Sequence, residues 1–249
     1  MNMRRYILLS IVSTVFLGTF AAHSAESSKA TMKPERLFSE AQQQLNSGEY
    51  AVARESFLSY LEVRPDSAEA YLRLGFIELQ LDKLEASIRY LERAVDLGNQ
   101  DPTTFLILAT AANRYGLLDK ARDAYLEAIK RNPRAPNAYH ELGLIYFRQN
   151  NMMGAIEALK KALEISPDSP QTLFALGMTY VKADQSELAM DLITHLRQLQ
   201  ENDKATQLEN LARTVRDRST FIEPSEENLA PQVAHPSELK AKPDQAAEE

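Results

Sequence analysis

Apolar side chains recur along this chain with a long period laid over a short one. From residue 34 the short period is helical, with apolar positions three and four apart in runs of about 14 residues. The runs come in pairs, and each pair repeats after 34 residues without an insertion. Five units result, at 34–67, 68–101, 102–135, 136–169 and 170–203, with repeat character covering 34–201. The spacing predicts ten helices, near 34–47, 51–63, 68–81, 84–97, 102–115, 118–131, 136–149, 152–165, 170–183 and 186–199. Leu208, Leu211 and Val215 then keep helical spacing through 203–221, read as a capping helix that follows the last unit without a break.

The fourth unit is the most complete. It places Tyr139, Leu142, Gly143, Tyr146, Ala155, Leu159, Ala162 and Pro167 at positions 4, 7, 8, 11, 20, 24, 27 and 32. The third nearly matches, with Phe105, Leu108, Ala109, Ala121, Tyr125, Ala128 and Pro133. The second carries Tyr71, Leu74, Gly75, Leu91 and Ala94, but Ser87 and Asn99 stand at positions 20 and 32. The first keeps Leu37, Ala41, Ala53, Phe57 and Pro65, with Glu40 and Gln44 at positions 7 and 11. The fifth has Leu173, Leu176, Gly177, Tyr180, Ala189 and Ile193, then departs at Leu196 and Glu201. Glycine is costly inside a helix, so its return at position 8 needs a packing reason. A small residue there, facing another at position 20, lets two helices approach closely. Gly48 and Gly116 fall at position 15, where a turn between helices needs a permissive backbone. Asp101-Pro102 and Ser169-Pro170 read as an N-cap followed by proline in the first turn.

This pattern resembles the tetratricopeptide repeat, a 34-residue helix–turn–helix unit. The resemblance implies an all-α, right-handed α-solenoid of five repeats plus the capping helix. One hairpin cannot bury its own apolar face, so the units stack into a continuous core with first helices on the concave side. The degenerate first and fifth units suit the ends of such an array.

The flanking segments read differently. Arg4 and Arg5 precede an apolar run, Ile7 to Phe20, and small residues around Ala22-His23-Ser24-Ala25. Residues 1–25 therefore read as a secretory signal peptide, and the run is short of the ~20 residues that span a bilayer. Export to a periplasm or secretion is the expectation, with an uncleaved inner-membrane signal anchor as the alternative. Residues 26–33 form a polar linker. Residues 222–249 hold four prolines and seven acidic side chains against two lysines, which reads as a disordered acidic tail. The formal charge of −7 disfavours nucleic acid as a partner, and the absence of cysteine removes disulfides, thiolate metal sites and a cysteine nucleophile.

Catalytic patterns do not stand out. There is no GxSxG, no phosphate-binding glycine loop and no HExxH. His140 and His195 lie on separate units with no partner at metal-ligand spacing. The reading is therefore non-enzymatic, without cofactor or metal. In the resembled family, ligand contacts come mainly from positions 2, 5, 9, 12 and 13 of the first helices. Carried over, this gives a groove of Phe38, Leu72, Phe76, Leu106, Asn113, Arg114, His140, Leu144, Phe147, Arg148, Phe174, Met178 and Lys182. An apolar stripe runs along it, and Arg114, Arg148 and Lys182 form a basic row at position 13. A protein or peptide segment with apolar side chains and nearby acids suits that surface. The family's two-carboxylate clamp needs Lys at position 5 and Asn at 9, and no unit has that pair. The resulting expectation is a scaffold or adaptor in a secretion, pilus or envelope assembly. The alternatives are a periplasmic carrier for exported clients and a regulatory subunit that docks an enzyme. Self-association through the first unit is a further expectation.

Overall fold

A computed structural model describes residues 33–221 of the chain. The expected signal peptide, nearly all of the expected linker and the expected acidic tail lie outside the described residues. Eleven α-helices make up the described part: α1 (Pro34–Asn46), α2 (Tyr50–Val63), α3 (Ala68–Gln80), α4 (Leu84–Asp96), α5 (Pro102–Tyr115), α6 (Leu118–Arg131), α7 (Pro136–Arg148), α8 (Met152–Ile165), α9 (Pro170–Lys182), α10 (Ser186–Gln198) and α11 (Asn202–Phe221). Each of the first ten begins and ends within one residue of the position its apolar spacing predicts. Five hairpins stack in chain order, and every helix packs on its chain neighbours.

The hairpins close on small residues. Ala41, Ala109, Ala53, Ser87, Ala121, Ala155 and Ala189, from positions 8 and 20, are all 0% exposed. Position 24 supplies the large partner, Phe57, Leu91, Tyr125, Leu159 or Ile193, each 3% exposed or less. A Cβ on Gly75 would lie 2.4 Å from Leu91 Cγ, and one on Gly143 would lie 2.6 Å from Leu159 Cγ. Neither position has room for alanine without moving the facing leucine. Ser87 keeps the close approach because its hydroxyl donates to the Gly75 carbonyl at 2.7 Å. That satisfies a polar group that burial would otherwise penalise.

All five hairpin turns use one backbone device. Gly48, Asp82, Gly116, Asn150 and Asp184 occupy position 15 with φ between +58° and +94°. The next amide, at position 16, donates to the carbonyl of position 11 at 2.8–2.9 Å in every turn. This is the Schellman arrangement, which satisfies carbonyls at a helix end. Asp and Asn are the non-glycine residues that best tolerate this left-handed region, so three turns manage without glycine.

Turns between hairpins come in two kinds, decided by position 32. Where it is Pro65, Pro133 or Pro167, the preceding residue leaves the helical region, with φ near −132° and ψ between 71° and 86° at Arg64, Asn132 and Ser166. Where it is Asn99 or Glu201, position 31 turns left-handed instead, at Gly98 (φ 88°) and Gln200 (φ 63°). The second case separates α10 from α11, so the expected unbroken continuation into the cap is corrected. Asp101 accepts from the Thr103 amide and Ser169 from the Thr172 amide, as the two Asp/Ser-Pro pairs predict.

The ends are held by contacts outside the repeat pattern. Leu208 of α11, rather than the position-24 Ile193, provides the nearest atoms to Gly177, with Cδ2 2.2 Å from a Cβ placed there. At the other end, Glu78 is 0% exposed at position 11 of the second unit, where the pattern favours tyrosine. Arg54 of α2 donates through Nε to Glu78 Oε1 at 2.5 Å, tying the first hairpin to the second. Phe38 packs edge-on against Phe57 and Tyr60, at centroid distances of 5.4 and 5.2 Å.

Two predictions follow from this packing. Gly143→Leu should lower the thermal unfolding midpoint, because overpacking costs about 1–3 kcal/mol, above the ~1 kcal/mol that leaving glycine returns to a helix. An unchanged midpoint in a melting experiment would contradict the close approach. Arg54→Met should destabilise by roughly 2–4 kcal/mol, somewhat less than a fully buried pair because Arg54 is partly exposed. Arg54→Met with Glu78→Met should recover most of that loss in denaturant titrations, since the buried carboxylate, which would otherwise keep Lys83 at 4.0 Å as its cation, is then removed.

Candidate functional site

One cleft gathers a large share of the predicted groove residues. It lies on the first-helix face of the last two repeats and has a volume of about 300 Å³. Its lining comprises His140, Leu144 and Phe147 from α7; Gln171, Phe174, Ala175 and Met178 from α9; and Lys204 from α11. The 34-residue period puts equivalent turns of α7 and α9 side by side, so positions 5 and 9 of both units face the same space. The small Ala175 leaves the hollow, and the first turn of α11 closes one side. Leu144, Phe147, Phe174 and Met178 give the wall its apolar character, suited to one large apolar side chain.

The groove does not continue in this form toward the N-terminus. Leu72 is 2% exposed and belongs to the central core, so its placement on the binding surface is corrected: its side chain points between repeats. Phe38 is committed to Phe57 and Tyr60. Phe76 packs against Tyr50 at 6.4 Å, and Leu106 leans on the central core. Phe38, Phe76 and Leu106 are half-buried, as are Leu144, Phe147, Phe174 and Met178, and the last four also line one common cleft.

The basic row reaches backward along the array. Arg114 Nη2 donates to Asp82 Oδ1 at 2.8 Å, one repeat earlier. Arg148 Nη1 donates to Asn113 Oδ1 at 2.6 Å. Lys182 Nζ sits 4.5 Å above the centre of the Phe147 ring. Each position-13 cation therefore touches the preceding unit at the same edge. Among the described residues, Arg114 meets a carboxylate, whereas Arg148 meets a neutral amide and Lys182 a ring. Lys204, in the cleft wall, pairs with Glu201 Oε2 at 2.7 Å.

His140 is fixed by a short relay. Its Nδ1 lies 3.0 Å from Thr172 Oγ1, and that hydroxyl lies 2.9 Å from Ser169 Oγ, the N-cap of α9. Thr172 is 4% exposed. Burial pushes the imidazole below its ordinary value of 6.5, against a smaller opposing pull from Glu141, so the ring is neutral at pH 7. Among the described residues, no group of three or more His, Asp or Glu side chains is placed to hold a metal ion.

A family model described as tetratricopeptide repeat matches residues 38–102 and 108–170, and a second of the same description matches 158–191. The chain belongs to the tetratricopeptide repeat family. Among named relatives, the CTR9 homolog of Arabidopsis thaliana is 26% identical over 200 residues, covering 63% of this chain and 18% of that protein. Anaphase-promoting complex subunit 3 of Schizosaccharomyces pombe is 26% identical over 152 residues, covering 59% of this chain and 22% of the relative. This chain thus spans under a third of the length of these relatives. Solved structures share the fold. The MamA protein superposes with a TM-score of 0.60 at 21% identity, covering 77% of this chain and 96% of the other. YrrB, described as a tetratricopeptide repeat protein with an unusual peptide-binding site, gives 0.63 at 17% identity, covering 80% and 97%.

Within this tetratricopeptide array, family positions named His140, Leu144, Phe147, Phe174 and Met178, and the structure brings those five together. Gln171 was legible as position 2. Ala175 and Lys204 were missed: the first lies at position 6, and the second comes from a helix outside the repeat pattern.

The His140 shift has a pH consequence. With the folded value below the unfolded one, the unfolded chain binds the proton first as pH falls. Stability from this site is full above about 6.5 and drains as pH drops toward the folded value. We expect the His140 ring to titrate below 6.5 by NMR. His140→Gln should flatten the fall in melting temperature between pH 7 and 5; an unaltered slope would remove His140 as its source.

Proposed function

We propose that this chain is a non-enzymatic adaptor that binds a protein segment along the first-helix face, seated at the cleft of the fourth and fifth repeats. The observation that carries the reading is the cleft itself. Four large, half-buried apolar side chains from two successive repeats line one hollow on the first-helix face. Beside it stand Arg148 and Lys182, which among the described residues meet an amide oxygen and the Phe147 ring. An extended or helical segment with an apolar side chain flanked by acids fits this combination. Aromatic and arginine side chains are frequent binding hot spots, which favours Phe147 and Arg148 as the main contributors.

The N-terminal sequence supports export. A basic start, a short apolar run and small residues near position 24 support a reading in which this adaptor works in the cell envelope, in a secretion, pilus or envelope assembly. The named relatives that are complex subunits are consistent with a docking role.

The test is photo-crosslinking in intact cells from position 147, with position 129 on α6 as control. One discrete adduct from 147 alone is the expected result. Many adducts would favour a carrier for exported clients, and adducts from 129 alone would move the function to the outer helices. Phe147→Ala with Arg148→Ala should abolish the adduct from a crosslinker at position 178 while leaving the circular dichroism spectrum unchanged; loss of helicity would make these residues structural.

A further inference from the structure

A second hollow opens on the second-helix side of the array. It holds about 440 Å³ between α6 and α8, with Leu126 and Ile129 on one bank, Glu157 and Lys161 on the other, and Tyr146 among the residues of α7 that complete it. Gly154 and Ala158 keep the α8 bank low. Next to Gly154 stands Met153, a large apolar side chain that is 83% exposed. Ile165, at the far end of α8, is 37% exposed. Single exposed apolar residues are ordinary on a protein surface. What sets these two apart is the order of the charges between them.

Met153, Glu157, Lys161 and Ile165 follow at intervals of four, so they form one row along α8. Reversed, the row is its own complement. Set antiparallel against itself about a twofold axis beside Leu159, it brings Glu157 opposite Lys161 twice and Met153 opposite Ile165 twice. A twofold contact demands this property, because residue i meets j wherever j meets i. The other second helices lack it. The two central positions are Arg89 and Arg93 in α4 and Asp123 and Glu127 in α6, which would oppose like charges. In α2 they are Glu55 and Ser59, and in α10 the second is His195, which already meets Asp168 at 2.9 Å. The first helix offers no such row, since every exposed residue of α1 is polar. Within the chain Lys161 donates to Glu164 at 2.6 Å, an exposed pair that leaves its ammonium able to face Glu157 of a second copy as well.

We propose that two copies of this chain associate through antiparallel α8 helices, each lying along the α6–α8 hollow of the other. Glu157–Lys161 pairs stand at the centre, and Met153 packs on Ile165 at both ends. One helix pair and its banks form a contact below about 1,200 Å², in the range of weak and transient interfaces, so the dimer depends on concentration. The contact leaves the first-helix cleft of each copy uncovered. On the adaptor reading above, a pair of copies holds a partner with two apolar segments at an effective concentration in the millimolar range.

The experiment is sedimentation equilibrium of the purified chain from ~1 to ~300 μM. The average mass should climb toward that of a dimer across this range. Lys161→Glu or Glu157→Lys alone should weaken association at least tenfold, because each sets like charges opposite. The two changes together should restore it to within about threefold, since the pairs are then exchanged and not lost. A monomer at every concentration, association that neither single change weakens, or no recovery in the double variant overturns the proposal. The chain has no cysteine, so an introduced pair reports the register directly. Met153→Cys with Ile165→Cys should give a disulfide-linked dimer on oxidation. Those positions lie about 18 Å apart along one α8, out of reach of each other within one chain. Equal linking through Met153→Cys alone would put Met153 at the axis and overturn the register. Position 129 borders this hollow, so a cellular adduct from it with twice the mass of the chain reports a second copy. The dimer and the adaptor reading therefore fail separately.

Discussion

The structure depends on how closely two helices approach inside each hairpin. Position 8 has no room for more than alanine, and at Gly75 and Gly143 not even for that, because the leucine at position 24 occupies the space. Such contact fixes the distance between the paired helices, and ridges-into-grooves packing then fixes their angle. The turn at position 15 has to return the chain within a few residues at that short distance. A left-handed residue with a Schellman bond does so, which explains why five different turn sequences adopt one geometry. Stacking follows, since every hairpin presents the same apolar faces to its neighbours.

Departures from the repeat are where the array acquires individuality. A helix ending without proline at position 32 substitutes a left-handed residue at position 31, as at Gly98 and Gln200. After Gln200 the chain turns into α11 with Leu208 set directly over Gly177, a contact that a position-24 leucine makes in other glycine-bearing units. The cap thus seals the last hairpin and also supplies Lys204 to the cleft. At the opposite end, the first hairpin lacks the usual residues at positions 7 and 11. An ion pair with buried Glu78 and an aromatic cluster around Phe38 take their place. One end is closed by apolar contact, the other by charge and aromatic packing.

The fold was legible because its signal is periodic. Helix ends, caps at Asp101 and Ser169, and the small residues at positions 8 and 20 all follow from spacing repeated five times. The left-handed turns at Asp82, Asn150 and Asp184 were readable in principle, since Asp and Asn share the register of Gly48 and Gly116. The site was legible only in part. Position numbers place a residue on a helix face, but whether it faces a neighbour or solvent depends on the local approach of two repeats. Leu72 turns inward while its equivalents His140 and Phe174, shifted by whole repeats, line an open cleft. Lys204 and Glu78 carried no periodic signal, because each makes its contact with a helix outside its own repeat position.

Magnitudes constrain what the cleft can do. Burying one large apolar side chain is worth about 1.5–3 kcal/mol, and exposed cations such as Arg148 and Lys182 add at most about 1 kcal/mol each. Together these fall near or short of the ~4 kcal/mol of a millimolar complex, and far below the ~8 kcal/mol of a micromolar one. A ligand held in this cleft alone therefore exchanges rapidly. Durable binding requires either contact with further repeats along the first-helix face or a tether that removes the cost of association. An external partner has the first route through Asn113, Arg114 and the ends of the earlier first helices.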